Sequence, residues 1–382
     1  MTAPTIHPVS TRAQRKAFVD FAWDVYRDDP VWVPPLKAEV HALLTPGKNP
    51  WFEHARAQLW LATRDGRAVG RISAQVDELV LEQMGAGTGQ WGMFEALDGE
   101  AAAALIASAE GWLRAQGMTR ALGPISLSMW DEPGLEIEGF AQPPTAMMGH
   151  HRPEYAAWIE AAGYAKARDL LTYEVDIAHW SDPRIDRLIE MGERNAKIRI
   201  RTVDKSRFDA EAAIILNLLN DAWSDNWGYV PLTQSEIAYA GKKLKPIIYE
   251  DLVRIAEYDD GAGFQPVAFM ITLPDINELI RDLDGALFPL GWARLLWRLR
   301  KPRTRRARVP LMGVAKQLHG TRLATQLAFM LIEYTRRACV ANYGIETGEF
   351  GWILEDNKGM LSIAELPGAR VNHRFRIYEK NL

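Results

Sequence analysis

Alternating apolar and polar residues in the first half of the chain predict strands that are followed by helices. The stretch AQLWLATRDGRAVGRISAQV alternates on both sides of Asp65 and Gly66, as an antiparallel hairpin with a tight turn does. A further strand is predicted at GQWGMFEAL, and alanine and leucine spacing then predicts a helix over 99–118, closed near Gly117. The half ends with a predicted strand, helix and strand at RALGPISLS, at PEYAAWIEAAGY with Pro153 in its first turn, and at AKARDLLTYEVD.

The second half repeats this order of elements. Strands are predicted at DLVRIAEYDD and FQPVAFMITL and, after a long insertion, at RVPLMGVAK. A helix over 320–342 carries Leu323, Leu327 and Leu331 on one face, and the strand EFGWILE, a short helix from DNKGM and the strand HRFRIYEK follow. Turn-rich residues at DIAHWSDPRID separate the two patterns. The order therefore predicts a duplicated α/β (α+β) fold with domains at 1–178 and 179–382, each a mixed, mostly antiparallel sheet flanked by helices.

The composition argues against a nucleic-acid-coating, a disulfide-bonded and a membrane-spanning protein. A chain of 382 residues with 48% hydrophobic residues can bury a large core, and a net charge of −4 does not indicate a general nucleic-acid-binding surface. The single cysteine, Cys339, excludes an intramolecular disulfide, and a small packed thiol is expected there, with a nucleophile as the alternative. No signal-peptide core and no run near the roughly 20 apolar residues of a spanning helix is found, so a cytoplasmic protein is expected.

The segment HGTRLA, at 319–324, stands between a predicted strand and the long helix. A phosphate-binding loop fits this place, because backbone N–H groups at a helix N-terminus bind a pyrophosphate and Gly320 would let the backbone approach it. An ordinary helix that starts after a glycine fits as well. These six residues leave both interpretations open.

A mixed sheet with such a loop between a central strand and the longest helix resembles the fold of the GCN5-related N-acetyltransferases (GNAT). The loop pattern of that family is Q/R-x-x-G-x-G/A, against which His319 takes the Gln/Arg place, Arg322 the middle Gly place and Ala324 the last place. Ala324 matches the pattern, whereas His319 and Arg322 depart from it. The first half shows no such loop, so the resemblance implies a cofactor in the second domain alone.

Stretches spread over almost the whole chain resemble a family of bacterial GNAT-like acyltransferases that includes the bacterial ceramide synthases. They are DDPVWVPPL, NPWFEHA, GPISLSMWDEPGLEIEGF, NDAWSDNWGYVPLT, FPLGWARLLW and GWILEDNKGM with RFRIYEK. The resemblance implies transfer of a fatty acyl group from acyl-CoA, or from an acyl-carrier-protein thioester, to a long-chain amine, most specifically a sphingoid base, without a metal. The alternatives are acetylation of a small amine or peptide, and acyl-CoA or lipid binding without catalysis.

The resemblance also implies where the donor binds. The strand before the loop would splay from its neighbour and hold the pantetheine with backbone N–H groups, while the loop holds the phosphates and an asparagine touches the cofactor arm. The implied donor-binding residues are Leu311, Met312, Gly313, Val314, His319, Gly320, Thr321, Arg322, Leu323, Ala324 and Asn357.

Amide formation from a thioester needs a neutral amine and a proton for the leaving thiol. Glu355, at the end of the predicted strand WILEDN, is the expected base, directly or through water. In the alternative, Glu355 and Asp356 only begin a helix, with Asp356 as its cap. The helix that follows lacks the tyrosine acid that the family fold often supplies, and Tyr378 is the nearest substitute by chain position, with packing as an equal alternative.

Two other clusters are candidates for binding the amine. The first comprises Trp223, Asn226, Trp227 and Tyr229. Its aromatic walls and few polar atoms suit a long-chain amine or acyl group, and equally a core between domains. The second is the pair Asp131 and Glu132, two carboxylates after a predicted strand that suit capture or deprotonation of an ammonium group, or the capping of a loop.

The insertion over 275–308 predicts contact with a membrane surface. Trp292, Leu295, Leu296 and Leu299 share one face of a predicted helix, and eight basic residues occur from 294 to 308 without an acidic one. Such an element suits an anionic bilayer surface and would place the protein peripherally on the inner face of the membrane. A solvated helix that covers the core is the alternative. Nucleic-acid binding through RKPRTRR lacks a readout motif and is not expected.

Overall fold

The computed structural model describes residues 2–365 and 368–382. Within these residues the chain forms two compact units. The first comprises the chain up to Leu170 with Ile280–Leu287 and His373–Leu382, and the second comprises Leu171–Leu279 and Phe288–Asn372. The first unit thus includes two segments from beyond the division predicted at residues 178 and 179.

Strands and helices alternate along both units. The strands are β1 Thr5–Pro8, β2 Ala55–Arg64, β3 Arg67–Asp77, β4 Thr88–Ala96, β5 Arg120–Gly123, β6 Leu135–Glu138, β7 Ala165–Asp176, β8 Ile198–Thr202, β9 Val253–Asp259, β10 Phe264–Pro274, β11 Arg306–Val314, β12 Thr347–Leu354 and β13 Arg370–Asn381. The helices are α1 Arg12–Val25, α2 Lys37–Leu43, α3 Glu78–Met84, α4 Gly99–Ala115, α5 Tyr155–Ala161, α6 Pro183–Glu193, α7 Phe208–Trp223, α8 Gln234–Leu244, α9 Ile276–Ile280, α10 Gly291–Arg300, α11 Arg322–Ala338 and α12 Lys358–Glu365.

The sheet of the first unit follows the order β1, β2, β3, β4, β5 and is antiparallel except between β4 and β5. The end of β13 pairs antiparallel with β5, with Tyr378 opposite Gly123. The β2–β3 hairpin turns at Asp65 and Gly66, whose φ angles of 51° and 77° are both positive, as a tight two-residue hairpin turn requires. The predicted hairpin is confirmed.

Helix α4 forms where the alanine and leucine spacing predicted it. The Asp98 side chain accepts a hydrogen bond of 2.9 Å from the Ala101 N–H at the helix start, and Gly117, with a φ of 83°, closes the helix. Its buried face, which includes Leu105 and Leu113, lies in the core of the first unit. Capping and periodicity therefore agree with the tertiary structure here.

Two predicted details of the first half are wrong. Strand β5 ends at Gly123, because Pro124 has no N–H with which to continue a strand through RALGPISLS. Pro153 lies before helix α5, which begins at Tyr155 after Glu154 as its N-cap residue. The predicted strand that closes the half is confirmed as β7.

The sheet of the second unit follows the order β12, β11, β10, β9, β8 and is parallel between β11 and β12 alone among the pairs of this order. Helix α11 makes the crossover that a parallel pair needs, and it buries Leu327 and Leu331 while Leu323 is half-buried. The predicted helix face is confirmed. A single wider turn over Cys339–Tyr343 follows the helix. Gly344, whose φ is 68°, then ends it.

The thiol of Cys339 is packed in this second unit. Its residue is 2% exposed, and burial raises the pKa of the thiol to about 12. Because the thiolate is the nucleophile, a thiol with so high a pKa is unreactive at neutral pH. The packed-thiol prediction is confirmed.

Candidate functional site

Strands β11 and β12 pair over four residues and then separate. Their parallel register runs from Arg306 opposite Thr347 to Val309 opposite Phe350. Near the point of separation, β11 bulges against β10, because Leu311 lies opposite Ile271 whereas Arg308 lies opposite Leu273. The bulge includes Pro310, which has no N–H to offer a neighbouring strand.

The separating strands border a cleft that is open to solvent, here called the strand cleft, and the empty space of about 460 Å³ around it includes open solvent. It is lined by Val309, Pro310 and Met312 of β11, by residues 350–354 of β12, by Trp223 and Asn226 at the end of α7, and by Asn357 and Met360 at the start of α12. None of these lining residues, all in the described chain, is charged. An apolar cleft with a few polar groups suits an acyl chain or the arm of a thioester.

Four of the predicted site residues meet in the strand cleft: Trp223, Asn226, Met312 and Asn357. The indole Nε1–H of Trp223 donates to the Met312 carbonyl oxygen at 3.0 Å. The Trp223 ring also lies 6.1 Å from that of Trp352, measured between ring centroids. Trp223 therefore connects the end of α7 to the strand that was predicted to hold the donor.

Met312 alone lines the cleft among the predicted strand residues Leu311 to Val314. A Cβ on Gly313 would come within 2.8 Å of the Phe269 ring and 3.0 Å of Ala222 Cβ, so this glycine lets β11 approach α7 closely. Leu311 and Val314 are half-buried. All four residues follow the last pair with β12 at Val309, so none of them takes part in the pairing of β11 with β12.

An arginine that the sequence analysis did not identify holds the point of separation. Arg308 is 3% exposed, and its Nη2 donates at 3.0 Å to the carbonyl oxygen of Gly351, the residue after the last pair of β12 with β11. Burial lowers the pKa of Arg308 to about 10, and the nearby carboxylate of Glu349 favours the charged form. The sequence signal that would have identified it is a charged residue within an apolar strand pattern.

The loop between β11 and α11 combines features of both interpretations of HGTRLA. The Thr321 side chain caps α11 by accepting a bond of 3.1 Å from the Ala324 N–H, which is how an ordinary helix begins. The His319 Nε2–H donates to the Val314 carbonyl oxygen at 2.8 Å and so holds the loop to the end of β11. Gly320, with a φ of 74°, turns the chain, and no atom lies within 4 Å of the place of a Cβ. Arg322 and Leu323 are the first two residues of α11, and N–H groups in the first turn of a helix have no acceptor within the helix and can bind phosphate.

The structure assigns the cap of α12 to Asn357. Its Oδ1 accepts a bond of 3.1 Å from the Met360 N–H, so the alternative in which Asp356 is the cap is wrong. Glu355 is half-buried and follows Leu354, the last residue of β12, and it is not among the described residues that line the cleft. Its role as the base stays a prediction.

Trp227 and Tyr229 are placed on the loop after α7 and are not among the described lining residues. The Tyr229 hydroxyl donates to the Asn220 side chain. Both residues follow Asn226, which does line the cleft. Their role in binding the amine stays a prediction.

Tyr378 lies in the core of the first unit. It is 1% exposed, its hydroxyl donates to Glu160 at 3.2 Å, and burial raises the pKa of the phenol to about 12. Packing, the alternative that the sequence left open, is observed. A phenol with a raised pKa releases its proton with more difficulty than an ordinary tyrosine, and its role as an acid stays a prediction.

The carboxylates of Asp131 and Glu132 have different surroundings. Asp131 accepts a bond of 2.6 Å from the Ser128 hydroxyl and closes its own turn, which is the loop-capping alternative. Glu132 instead faces the ring of His151, with 3.7 Å between Oε1 and Nε2. The structure therefore leaves Glu132 as the stronger candidate for a ligand contact.

Helix α10 and the segment before it present large apolar side chains to solvent. Phe288 is 82% exposed and Trp297 is 73% exposed. Exposed with them are Leu290, Trp292 and Leu296. The helix is attached on its other side, because the Tyr249 hydroxyl donates to the Leu299 carbonyl oxygen at 2.7 Å. Among the described residues, no helix combines the length and the apolar character that crossing a bilayer requires.

Several of the eight basic residues in the insertion are engaged inside the second unit, where Arg298 donates to the Leu279 carbonyl oxygen. Arg305 pairs with Glu346 at 2.8 Å, Arg306 pairs with the buried Asp275 at 2.6 Å, and Arg308 is buried. Besides the ion-paired Arg305, the exposed basic residues are Arg294, Arg300, Lys301 and Arg303. The basic surface beside the exposed aromatic residues is therefore smaller than the sequence suggested.

No protein-family model matches the sequence. The chain is 43% identical to Protein YghO of Escherichia coli (strain K12) over 369 residues, which cover 96% of this chain and 93% of that protein. It is 41% identical to the bacterial ceramide synthase of Caulobacter vibrioides (strain NA1000 / CB15N) over 385 aligned positions, which cover 99% of this chain and 97% of that protein.

Solved structures share the fold at much lower identity. A tandem GNAT protein from the clavulanic acid biosynthesis pathway is 14% identical, with a TM-score of 0.56 over 99% of this chain and 98% of that chain. A GCN5-related N-acetyltransferase from Sphaerobacter thermophilus is 12% identical, with a TM-score of 0.53 over 99% and 95% of the two chains. The chain therefore belongs to the family, with the tandem GNAT fold, that contains Protein YghO and the bacterial ceramide synthase.

Proposed function

We propose that this protein is an N-acyltransferase that moves a fatty acyl group from a thioester to the amine of a sphingoid base. The observation that carries the proposal is the 41% identity to the bacterial ceramide synthase over 99% of the chain, which includes both units. The apolar lining of the strand cleft agrees with a donor that carries a long acyl chain.

In the proposed reaction, the neutral amine attacks the thioester carbonyl, a C–N bond forms, the C–S bond breaks, and the amine proton is transferred finally to the thiolate. The donor is acyl-CoA or an acyl-carrier-protein thioester, and the chemistry needs no metal. The strand cleft would hold the donor arm beside Met312 and Asn357, while the start of α11 binds its phosphates. Glu355, close to the end of β12, would accept the amine proton directly or through water.

Amine-dependent thiol release tests this function. Purified protein should release thiol from a long-chain acyl-CoA when sphinganine is added, and mass spectrometry should identify the N-acylated product. The same assay with acetyl-CoA and small polar amines tests the acetylation alternative. Saturable acyl-CoA binding without turnover with any amine, from either acyl-CoA or acyl-carrier-protein donors, would contradict the proposal and support a binding protein.

Arg322 provides a test of the loop. Arg322→Glu should raise the donor KM about tenfold or more and leave kcat nearly unchanged, because it replaces a cation at an exposed helix start with an anion that repels phosphate. Arg194→Glu is the matched control, since Arg194 is also an exposed arginine of the second unit. Steady-state kinetics on both variants measure the effect. An unchanged donor KM in Arg322→Glu would remove the loop from donor binding.

An anionic membrane surface is the proposed partner of helix α10. The exposed side chains of Phe288, Trp292 and Trp297 suit the boundary between head groups and acyl chains. Arg300 and Lys301, exposed at the end of the same helix, suit phosphate head groups. The protein would act from the cytoplasmic side, on the inner face of the membrane.

A further inference from the structure

A histidine and a glutamate of the first unit face each other without a hydrogen bond between them. His151 Nε2 lies 3.7 Å from Glu132 Oε1, which is beyond hydrogen-bond distance. The His151 side chain is 7% exposed, whereas that of Glu132 is 41% exposed, so solvent reaches the carboxyl. A Cβ on Gly149 would lie 2.6 Å from Glu132 Oε1 and 2.8 Å from His151 Cε1. A residue without a side chain is therefore needed beside the pair.

Backbone hydrogen bonds fix the orientation and the proton of the His151 ring. The Glu136 N–H donates to His151 Nδ1 at 3.1 Å, so the neutral ring carries its proton on Nε2. The His151 N–H donates in turn to Glu136 Oε2 at 3.1 Å. Burial lowers the pKa of His151 to about 4, so the ring is neutral at physiological pH. His151 thus presents a fixed Nε2–H donor toward the carboxyl of Glu132, whose Oε1 lies 3.7 Å away and so beyond hydrogen-bond distance.

The buried carboxylates nearby have histidine or hydroxyl partners of their own. Glu136 lies 2.9 Å from both His150 and His373. Glu95 accepts bonds of 2.8 Å from the hydroxyls of Tyr26 and Tyr155.

Glu132 differs from these carboxylates. Among the described residues the one basic group within 4 Å of its carboxyl is the ring of His151, which is neutral at physiological pH. Although the side chain is 41% exposed, the protein packed around its carboxyl, followed by the charges of Glu95 and Asp131 against that of Arg71, raises the pKa of Glu132 to about 7. A solvent-reachable carboxyl without a cation partner is suited to a cationic ligand.

We propose that Glu132 and His151 form a binding site for the head group of an amino alcohol, in which Glu132 accepts hydrogen bonds from the ammonium and His151 Nε2–H donates to the hydroxyl. A vicinal amino alcohol carries these two groups on adjacent carbons, so one small head group can reach both side chains, whose Oε1 and Nε2 atoms lie 3.7 Å apart. This inference rests on the proposed function, because the amino alcohol is taken to be the head group of the amine substrate. It adds His151 and a selectivity for hydroxylated amines.

Two variants separate the roles of the pair. Glu132→Gln removes the charge and keeps the size of the side chain. His151→Asn keeps an acceptor where Nδ1 receives the Glu136 N–H and removes the Nε2–H donor. Glu138→Gln is the control, because Glu138 lies on the adjacent strand β6 with a 59% exposed side chain.

Calorimetric titration of the full chain with 2-aminooctan-1-ol and with octylamine, at about pH 8 where the Glu132 carboxyl is ionised, gives the test. The wild type and the control should bind the amino alcohol about tenfold more tightly than octylamine. Glu132→Gln should weaken both ligands by roughly tenfold or more, because the charge-assisted bond is lost. His151→Asn should weaken the amino alcohol about tenfold and leave octylamine unchanged.

Unchanged affinities in Glu132→Gln would overturn the proposal, and so would an equal loss for both ligands in His151→Asn, which would indicate a structural role.

Glu132→Gln should fold at least as stably as the wild type above neutral pH. The folded-state pKa is raised, so ionising this carboxyl costs stability as pH rises, and the amide avoids that cost. Thermal unfolding checks this, and Glu132→Asp, which keeps the charge, is the second variant.

The titration tests the head-group site and the thiol-release assay tests the proposed function, so either result can be negative without the other. A wild type that binds the amino alcohol through both residues, yet acylates no amine, would refute the proposed function and retain the head-group site. A wild type that acylates sphinganine, together with variants of unchanged amine KM and unchanged binding, would refute the head-group site and retain the function.

Discussion

Replacing Glu355 with glutamine should lower kcat by roughly 10²-fold while the donor KM stays near its wild-type value. Glutamine keeps the size of the side chain but cannot accept the proton of the attacking amine. Glu355 follows the last residue of β12 and lies between Leu354 and Asn357, both of which line the strand cleft. Because Glu355 itself is not a lining residue in the described chain, donor binding should not depend on it.

The neighbouring residue provides the control for Glu355. Asp356 is exposed, and the cap of α12 is Asn357. Asp356→Asn should therefore leave turnover and the melting temperature close to wild type, although both residues stand at the same helix start. Steady-state kinetics and calorimetry on the two variants decide the assignment. Near-normal turnover in Glu355→Gln would exclude Glu355 as the base, and an equal loss in Asp356→Asn would indicate a general effect of charge at this position.

Replacing Trp292 and Trp297 together with serine should weaken binding to anionic vesicles by about 10²-fold or more. Both indoles are exposed in the protein, so the substitutions remove apolar area that would enter the membrane boundary without opening a cavity in the core. Flotation with phosphatidylglycerol-containing vesicles measures the binding. Activity should fall on vesicle-borne sphinganine and change little on the same amine in detergent.

The charge contribution is separable from the apolar one. A triple variant in which glutamine replaces Arg300, Lys301 and Arg303 should bind anionic vesicles about 10²-fold more weakly at low salt. Each basic residue near the membrane surface contributes about 1 kcal/mol to binding. This loss should shrink as salt screens the wild type. The charge-matched control replaces three exposed basic residues of the second unit, Arg187, Arg194 and Lys197.

The basic set avoids residues whose loss would damage the fold. Arg306 pairs with the buried Asp275, so its replacement would leave a buried carboxylate without its cation. Arg298 donates to the Leu279 carbonyl oxygen and attaches α10 to the second unit. Wild-type protein that fails to bind anionic vesicles at low salt would contradict the membrane proposal and assign α10 to packing.

The sequence by itself determined the elements whose signals are local. The β2–β3 hairpin follows from alternation on both sides of a turn at Asp65 and Gly66, and α4 follows from its apolar spacing and from Gly117. The predicted element boundaries were wrong at two prolines, one after β5 and one before α5. A proline is compatible with a strand end, a loop and a helix start, and the residues beside it do not decide among these three.

Part of the candidate site was also predictable from sequence. Trp223, Asn226, Met312 and Asn357 were predicted as binding residues, and the structure brings them to one cleft. The separation of β11 from β12 was expected from the family resemblance alone, and its extent, with the last pair at Val309 and Phe350, depends on a bulge and on the Arg308 contact with Gly351. Pairing between strands is a long-range property that no local pattern records.

Only the tertiary structure decided which polar groups are already engaged and which are available to a ligand. Eight basic residues in the insertion look alike in sequence, but burial of Asp275 and Arg308 separates those that hold the second unit together from those that face solvent. Asp131 and Glu132 are adjacent in sequence, yet Asp131 closes a turn, while Glu132 meets a histidine from elsewhere in the first unit. The physical reason is that the ionisation and hydrogen bonding of a side chain depend on burial and on neighbours, which the folded chain alone brings together.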